Sequence, residues 1–179
     1  MKIDIASDQD VNSIVNLVNS AYRGGGGPAG WTDETRILSG PRIRAPDVKS
    51  LIEEPSTTVL LGRMHNALVG CICVEIDQSI CTISMLAIDP ALQSSGWGRV
   101  LLEAAERYAV RIGAKMAKMT VIQQRGTLLA WYARRGYEPT GDIERFPYGD
   151  ESVGIPLRDD LQFVVLQKTI TGVTADRSE

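Results

Sequence analysis

One run constrains the chain more than any other: Leu86-Ala87-Ile88-Asp89-Pro90-Ala91-Leu92-Gln93-Ser94-Ser95-Gly96-Trp97-Gly98-Arg99-Val100-Leu101-Leu102. An apolar strand over 80–88 passes through Asp89-Pro90 and a serine–glycine turn into a helix expected over 96–112. That helix carries an apolar stripe of Val100, Leu101, Ala104, Ala105, Tyr108 and Ile112, with charged residues on its other side, and Gly113 ends it. A strand that feeds a helix in this way builds an anion site. The first helical turn has N–H groups without intrahelical partners, and the helix dipole favours negative charge there. Gly96 and Gly98 let a ligand approach the backbone without a Cβ in the way. Ser94 and Ser95 add hydroxyl donors or cap the helix.

The rest of the chain reads as one α/β domain over 1–170, followed by a polar tail over 171–179. Residues 2–6 alternate as a strand, and Ser7 or Asp8 caps a helix whose apolar face is Val11, Ile14, Val15 and Val18. Gly24–Gly30 is a glycine-rich loop without the Lys-Ser/Thr of a nucleotide-binding loop. Thr32-Asp33 is expected to cap a second short helix, and a third runs from Pro46-Asp47 to Pro55. Strands over 57–63 and 67–76 flank the turn Met64-His65-Asn66. Beyond the long helix come a strand over 115–122, a helix over 126–135 closed by Gly136, a strand beginning in 137–141 and a last strand over 161–169.

Charge and cysteine use remove several classes. Lys and Arg number 19 against 22 Asp and Glu, for a formal net charge of -3, which argues against nucleic acid as the main partner and leaves room for a local patch only. No stretch approaches the ~18 apolar residues that a membrane span needs. Met1-Lys2-Ile3-Asp4 lacks the basic-then-apolar order of a signal peptide, and the expected location is cytoplasmic. Cys71, Cys73 and Cys81 lie on apolar segments and read as buried, reduced thiols, with no metal site expected.

Gln93-x-x-Gly96-x-Gly98, after a strand and before an amphipathic helix, resembles motif A of the GNAT (Gcn5-related) N-acetyltransferases. In that family the motif's backbone amides hold the pyrophosphate of acetyl-CoA. Leu128-Leu129-Ala130-Trp131-Tyr132-Ala133-Arg134-Arg135-Gly136-Tyr137 resembles the family's motif B, a helix with an aromatic pair that ends in Gly-Tyr. The resemblance runs from the first strand to Thr169. It implies a single-domain GNAT fold, a mixed and mostly antiparallel sheet flanked by helices, with acetyl-CoA as cofactor. Carried over, the cofactor contacts are the backbone of Leu86, Ala87 and Ile88, where a β-bulge splays the strand, and Gln93, Ser94, Ser95, Gly96, Trp97, Gly98 and Arg99. Tyr132 takes the position of the phenol that protonates the departing thiolate. Two positions depart from the family pattern. Arg125 stands where Asn often contacts the cofactor, and Ser95 where Arg or Lys is common. A cation at Arg125 could still help hold CoA, and Arg135 either meets the CoA phosphates or is a solvated surface residue. The family often dimerises, so a homodimer is a further expectation.

Attack by an amine needs a base. Glu75, on the strand beside the expected cleft, is the catalytic candidate; His65, Asp142 and Glu144 are others. The acceptor is expected between two long connections, the loop ending in Trp31 and residues 142–160. Trp31, Phe146 and Tyr148 are the substrate-binding candidates, and Asp150, Glu151, Asp159 and Asp160 would form an acidic rim suited to a cationic amine. The implied reaction moves an acetyl group from acetyl-CoA to a primary amine of a small molecule or amino acid, by direct attack in a ternary complex. Two alternatives remain open at this level: a non-catalytic acyl-CoA sensor, and an acetyltransferase acting on a protein amine.

Overall fold

The computed structural model describes residues 1–24 and 30–171. Its spine is a meander of β3 (Thr57–Met64), β4 (Ala67–Asp77) and β5 (Ile80–Ile88). His65 and Asn66 turn the first hairpin at φ of 48° and 68°, the left-handed geometry that a two-residue hairpin requires. β1 (Lys2–Ile5) pairs with β3 at one edge. Beyond β5 lie β6 (Met116–Ile122), β9 (Gln162–Thr169) and β7 (Glu138–Arg145), giving the order β1-β3-β4-β5-β6-β9-β7. Only the β5–β6 pair is parallel.

Helices cover both faces. α1 (Val11–Arg23) and α2 (Ala45–Glu53) bury Ile14, Val18 and Val48 against Val59, Leu61, Cys71 and Cys73. α3 (Trp97–Arg111) and α4 (Gly126–Ala133) bury Leu101, Ala105, Leu128 and Tyr132 on the other face, against Leu60, Ile72 and Val74. β3 and β4 divide their apolar side chains between these two cores, as a period of two demands. The three cysteines are free and buried. Among the described residues no cluster suits a metal ion, and no helix is long and apolar enough to cross a membrane.

β5 breaks the alternation. Cys81 and Ile83 face the α3 core, but Met85 and Ala87 face the α1 core, and Leu86 and Ile88 return to α3. Cys71 pairs with Ala87 while Cys73 pairs with Ser84, so β5 holds one residue more than β4 over this stretch. The extra residue is taken up at Met85, with φ of 54°. This is a β-bulge, and it rotates the rest of β5 by one side-chain step.

The sheet's elements fall within one or two residues of the ranges expected from the sequence. Two connections differ. No helix follows Thr32-Asp33. Instead the Asp33 carboxylate accepts the Thr35 amide and hydroxyl at 2.7 and 2.6 Å, closing a local turn that competes with a helix start. The chain then enters β2 (Leu38–Ser39), which pairs with β8 (Ile155–Pro156). The 142–160 connection is therefore partly regular: β7 continues to Arg145, and β8 clamps onto the loop after α1. Most of the glycine loop and the tail from 172 lie outside the described residues.

Candidate active site

β5 and β6 are hydrogen-bonded partners only from Ile80–Thr82 to Met116–Lys118. Past the bulge they separate, and a cleft of about 210 Å³ opens between them. Leu86 lies in its wall, while Ala87 and Ile88 continue β5 toward the glycine turn. The Leu86 carbonyl accepts the Tyr22 hydroxyl at 2.8 Å, and the Ile88 carbonyl accepts Gln93 Nε2 at 3.0 Å.

Tyr132 reaches the cleft from α4, buried and set edge-on to Trp131 and Tyr137. The chain has five tyrosines. The hydroxyl of Tyr22 donates to Leu86, that of Tyr137 to Glu106, that of Tyr108 shares a bond with Thr58, and that of Tyr148 accepts the Leu161 amide. The Tyr132 hydroxyl alone has no partner among the described residues. Burial raises its pKa far above the ordinary phenol value, so it holds its proton throughout the neutral range.

At the end of β5 the chain turns through Ser94, with φ of 67°, and Gly96, with φ of 82°, into α3. Ser94, Ser95 and Gly96 are exposed. No side chain caps the helix; Gly96 takes the cap position, and nothing lies within 4 Å of where its Cβ would stand. The amides of Gly96, Trp97 and Gly98 therefore have no partner among the described residues. Arg99 is exposed on the first turn and pairs with Glu103 at 3.7 Å. Arg135 lies nearby, within charge range of Arg99 and Glu103. Its guanidinium stacks 3.5 Å over Trp131, and its Nε is buried without a partner. Open amides and two cations at a helix start fit the pyrophosphate of CoA.

Gln93 sits differently from a ligand-facing side chain. Its Oε1 accepts the Trp31 amide at 2.6 Å, and its Nε2 reaches both the Ile88 carbonyl and Thr32 Oγ1, the latter at 3.3 Å. The carboxamide thus staples the loop after α1 to the end of β5. Trp31 stacks on Trp131 with centroids 5.0 Å apart, and a Cβ on Gly98 would meet the Trp31 ring at 3.3 Å. Gly98 is small because two tryptophans pack against it.

Arg125 is buried at the start of α4. Its Nη1 donates to Glu34 at 2.8 Å and its Nη2 to the Trp31 carbonyl at 2.7 Å. Glu34 also accepts from Arg23 at 2.7 Å, and Arg23 donates onward to the Gly40 and Val153 carbonyls. The expectation that Arg125 helps hold CoA meets this buried triad, which engages both of its Nη atoms.

The remaining candidates scatter. Glu75 is exposed on β4, opposite Thr82 at the cleft's rim, but does not line it. His65 is exposed in its hairpin, and Asp142 and Glu144 are exposed on β7. Phe146 is buried in the cleft wall against Phe163. Tyr148 packs edge-on against Phe146 outside the cleft. Two of the four acidic residues expected at the rim are used locally: Asp150 accepts the Ser152 amide and Asp160 pairs with Arg158. The cleft instead contains three charged residues, Glu34, Arg42 and Arg125, of which sequence reasoning placed only Arg125 near the cofactor. Tyr22 was equally missed. Its place on the apolar face of α1 was legible, but its reach to the β5 bulge was not. A larger cavity of about 720 Å³ lies between α3 and β1–β3 and shares no lining residue with this cleft.

A mixed sheet split beside a bulged strand, with an uncapped helix at the strand's end, defines the GNAT class of acyltransferase folds. The family model for the acetyltransferase (GNAT) domain matches residues 41–147, more than half of the chain, and the protein belongs to that family. Solved structures agree in fold. The ribosomal-protein-S18-alanine N-acetyltransferase of Escherichia coli superposes with a TM-score of 0.70 at 15% identity, over 99% of each chain. The yncA acetyltransferase of Salmonella typhimurium, solved with acetyl-CoA, gives 0.68 at 19%, over 100% of this chain and 99% of that one. The paia N-acetyltransferase of Thermoplasma acidophilum, in complex with coenzyme A, gives 0.66 at 16%, over 94% and 99%. A search of curated proteins found no match.

Proposed function

We infer that this protein transfers the acetyl group of acetyl-CoA to the primary amine of a small molecule or amino acid, by direct attack in a ternary complex. The observation that carries the reading is the Tyr132 hydroxyl, the one tyrosine hydroxyl without a partner among the described residues, set in the cleft beside the β5 bulge. The amine nitrogen forms a bond to the thioester carbonyl carbon, the carbon–sulfur bond breaks, and the thiolate takes the Tyr132 proton. The ammonium proton leaves to water, and water returns a proton to the Tyr132 phenolate, so the phenol is restored. Backbone amides in the Leu86–Ile88 stretch are set to polarise the acyl oxygen, and the open amides of 96–98, with Arg99 and Arg135, to hold the phosphates. Family membership supports acetyl transfer, and the neighbours solved with CoA or acetyl-CoA support the cofactor. The β2–β8 ladder supports a small acceptor, because Leu38 and Val153 bring it against the cleft.

Tyr132→Phe tests the reading. Thiol release from acetyl-CoA should be measured against a panel of amines and amino acids, beside CoA affinity by calorimetry. The expected result is a kcat lower by about a hundredfold with unchanged CoA affinity. Unchanged kcat removes Tyr132 from the role. CoA binding without product for any amine would turn the reading toward a sensor.

A further inference from the structure

The cleft's charge points to the class of acceptor. Among the described residues that line it, only Glu34, Arg42 and Arg125 are charged. Glu34 is bound by both Arg23 and Arg125, so that triad carries one net positive charge. Arg42 adds a second. Its guanidinium lies over the Tyr22 ring, 5.4 Å from the centroid, and pairs with no carboxylate among the described residues. Its backbone is fixed: the Arg42 amide donates to Asn19 Oδ1 at 2.6 Å, and Asn19 in turn donates to the carbonyls of Val15 and Ile43. Tyr22, beneath the guanidinium, is the residue bonded to Leu86 at the bulge. An unpaired guanidinium on a fixed backbone therefore stands over Tyr22, beside the strand segment where the acyl group is expected.

We propose that Arg42 is a specificity residue that binds the carboxylate of the acceptor, and that the acceptor is an amino acid with an apolar side chain rather than a simple cationic amine. This rests on the acetyl-transfer reading above for what happens to the bound amine, but not for the binding itself. A guanidinium presents a planar fork that matches a carboxylate with two hydrogen bonds. Phe146, Phe163, Val153 and Leu38 supply the apolar wall. The same charge addresses the missing base. The one carboxylate in the cleft is tied to two arginines, but two net positive charges disfavour an ammonium and shift the bound acceptor toward the neutral, nucleophilic amine. A polyamine or other cationic acceptor would meet repulsion instead.

The experiment compares L-phenylalanine, L-leucine and L-methionine with their amides and with the matching decarboxylated amines, in the wild type and in Arg42→Gln. Thiol release gives kcat/KM. Calorimetry of the N-acetylated acids and their amides on the CoA-saturated protein gives binding without turnover. Thermal melting confirms that Arg42→Gln is folded. The expected outcome is a preference of tenfold or more for the free acids, which Arg42→Gln reduces to near parity through KM. Equal or better use of the amides and amines overturns the proposal, as does a preference that survives Arg42→Gln. Acid-selective binding that depends on Arg42, without product, would keep this proposal and remove the acetyl-transfer reading. Turnover of amides as fast as acids would do the reverse.

Discussion

Glu34 meets Arg125 with 2.8 Å between Oε1 and Nη1, and both side chains are buried. The second carboxylate oxygen is held by Arg23. This joins the end of α1 and the loop that follows it to the start of α4, 91 positions further along the chain. A buried carboxylate between two guanidiniums is costly to break, because each cation would be left without its counter-charge. Glu34→Gln should lower unfolding free energy by about 3–5 kcal/mol in urea titrations. A loss below about 1 kcal/mol, the range of an exposed pair, would show that water reaches the triad.

Gln93 uses its whole carboxamide inside the protein, on Trp31, Thr32 and Ile88. Gly30 is part of this staple, since a Cβ there would collide with the Gln93 carboxamide. Gln93→Ala should therefore act first on stability, by about 1–3 kcal/mol, through the unpaired Trp31 amide and Ile88 carbonyl. Denaturant midpoints and CoA calorimetry separate the two roles. A variant of wild-type stability with weakened CoA binding would return Gln93 to the ligand.

The two glycines of the turn should respond differently to alanine. Gly96 has φ of 82° and open space around it, so Gly96→Ala meets backbone strain alone, about 1–2 kcal/mol. Gly98 is helical, and its Cβ would press on Trp31 at 3.3 Å and Trp131 at 3.5 Å. Gly98→Ala gains helix propensity but must displace one of these rings. Near-ultraviolet circular dichroism should change for Gly98→Ala and not for Gly96→Ala. The same change in both would contradict the packing described.

The sheet and the α3 turn were legible in the sequence because local signals agreed: short β-rich apolar runs flanking a turn in β3 and β4, a glycine turn, then a helical stripe. The bulge left a trace as well. Met85, Leu86, Ala87 and Ile88 are consecutive apolar residues in a strand that otherwise alternates, which is what a one-residue slip between two buried faces produces. The charged lining of the cleft was not legible. Glu34 and Arg125 are 91 positions apart, and a single glutamate after an Asp33 turn looks solvated. Their pairing is decided by where α1 and α4 end, which depends on the packing of the whole sheet. Asp150 and Asp160 misled for the converse reason, since each is satisfied within two residues of itself.

Phenol titration provides a test of burial at the site itself. Burial pushes the Tyr22 hydroxyl up to about 12 from an ordinary value of 10.0, and it raises Tyr132 and Tyr137 further. In the unfolded chain these phenols lose their protons near the ordinary value, while in the folded protein they keep them. The folded state then holds more protons than the unfolded one above that point, and stability falls as pH rises. The contribution is complete below a pH of 10.0 and is lost progressively toward about 12 for Tyr22. Urea midpoints should be flat across the neutral range and should drop steeply on the alkaline side. The ultraviolet signal of the three buried tyrosinates should appear only with the loss of far-ultraviolet circular dichroism. Tyr22→Phe should shallow the alkaline slope, since one late-titrating phenol is gone. Early ionisation of these tyrosines in the folded protein would mean that the cleft is wetter than its geometry indicates, and Tyr132 would then be a poorer keeper of the proton assigned to the departing thiolate.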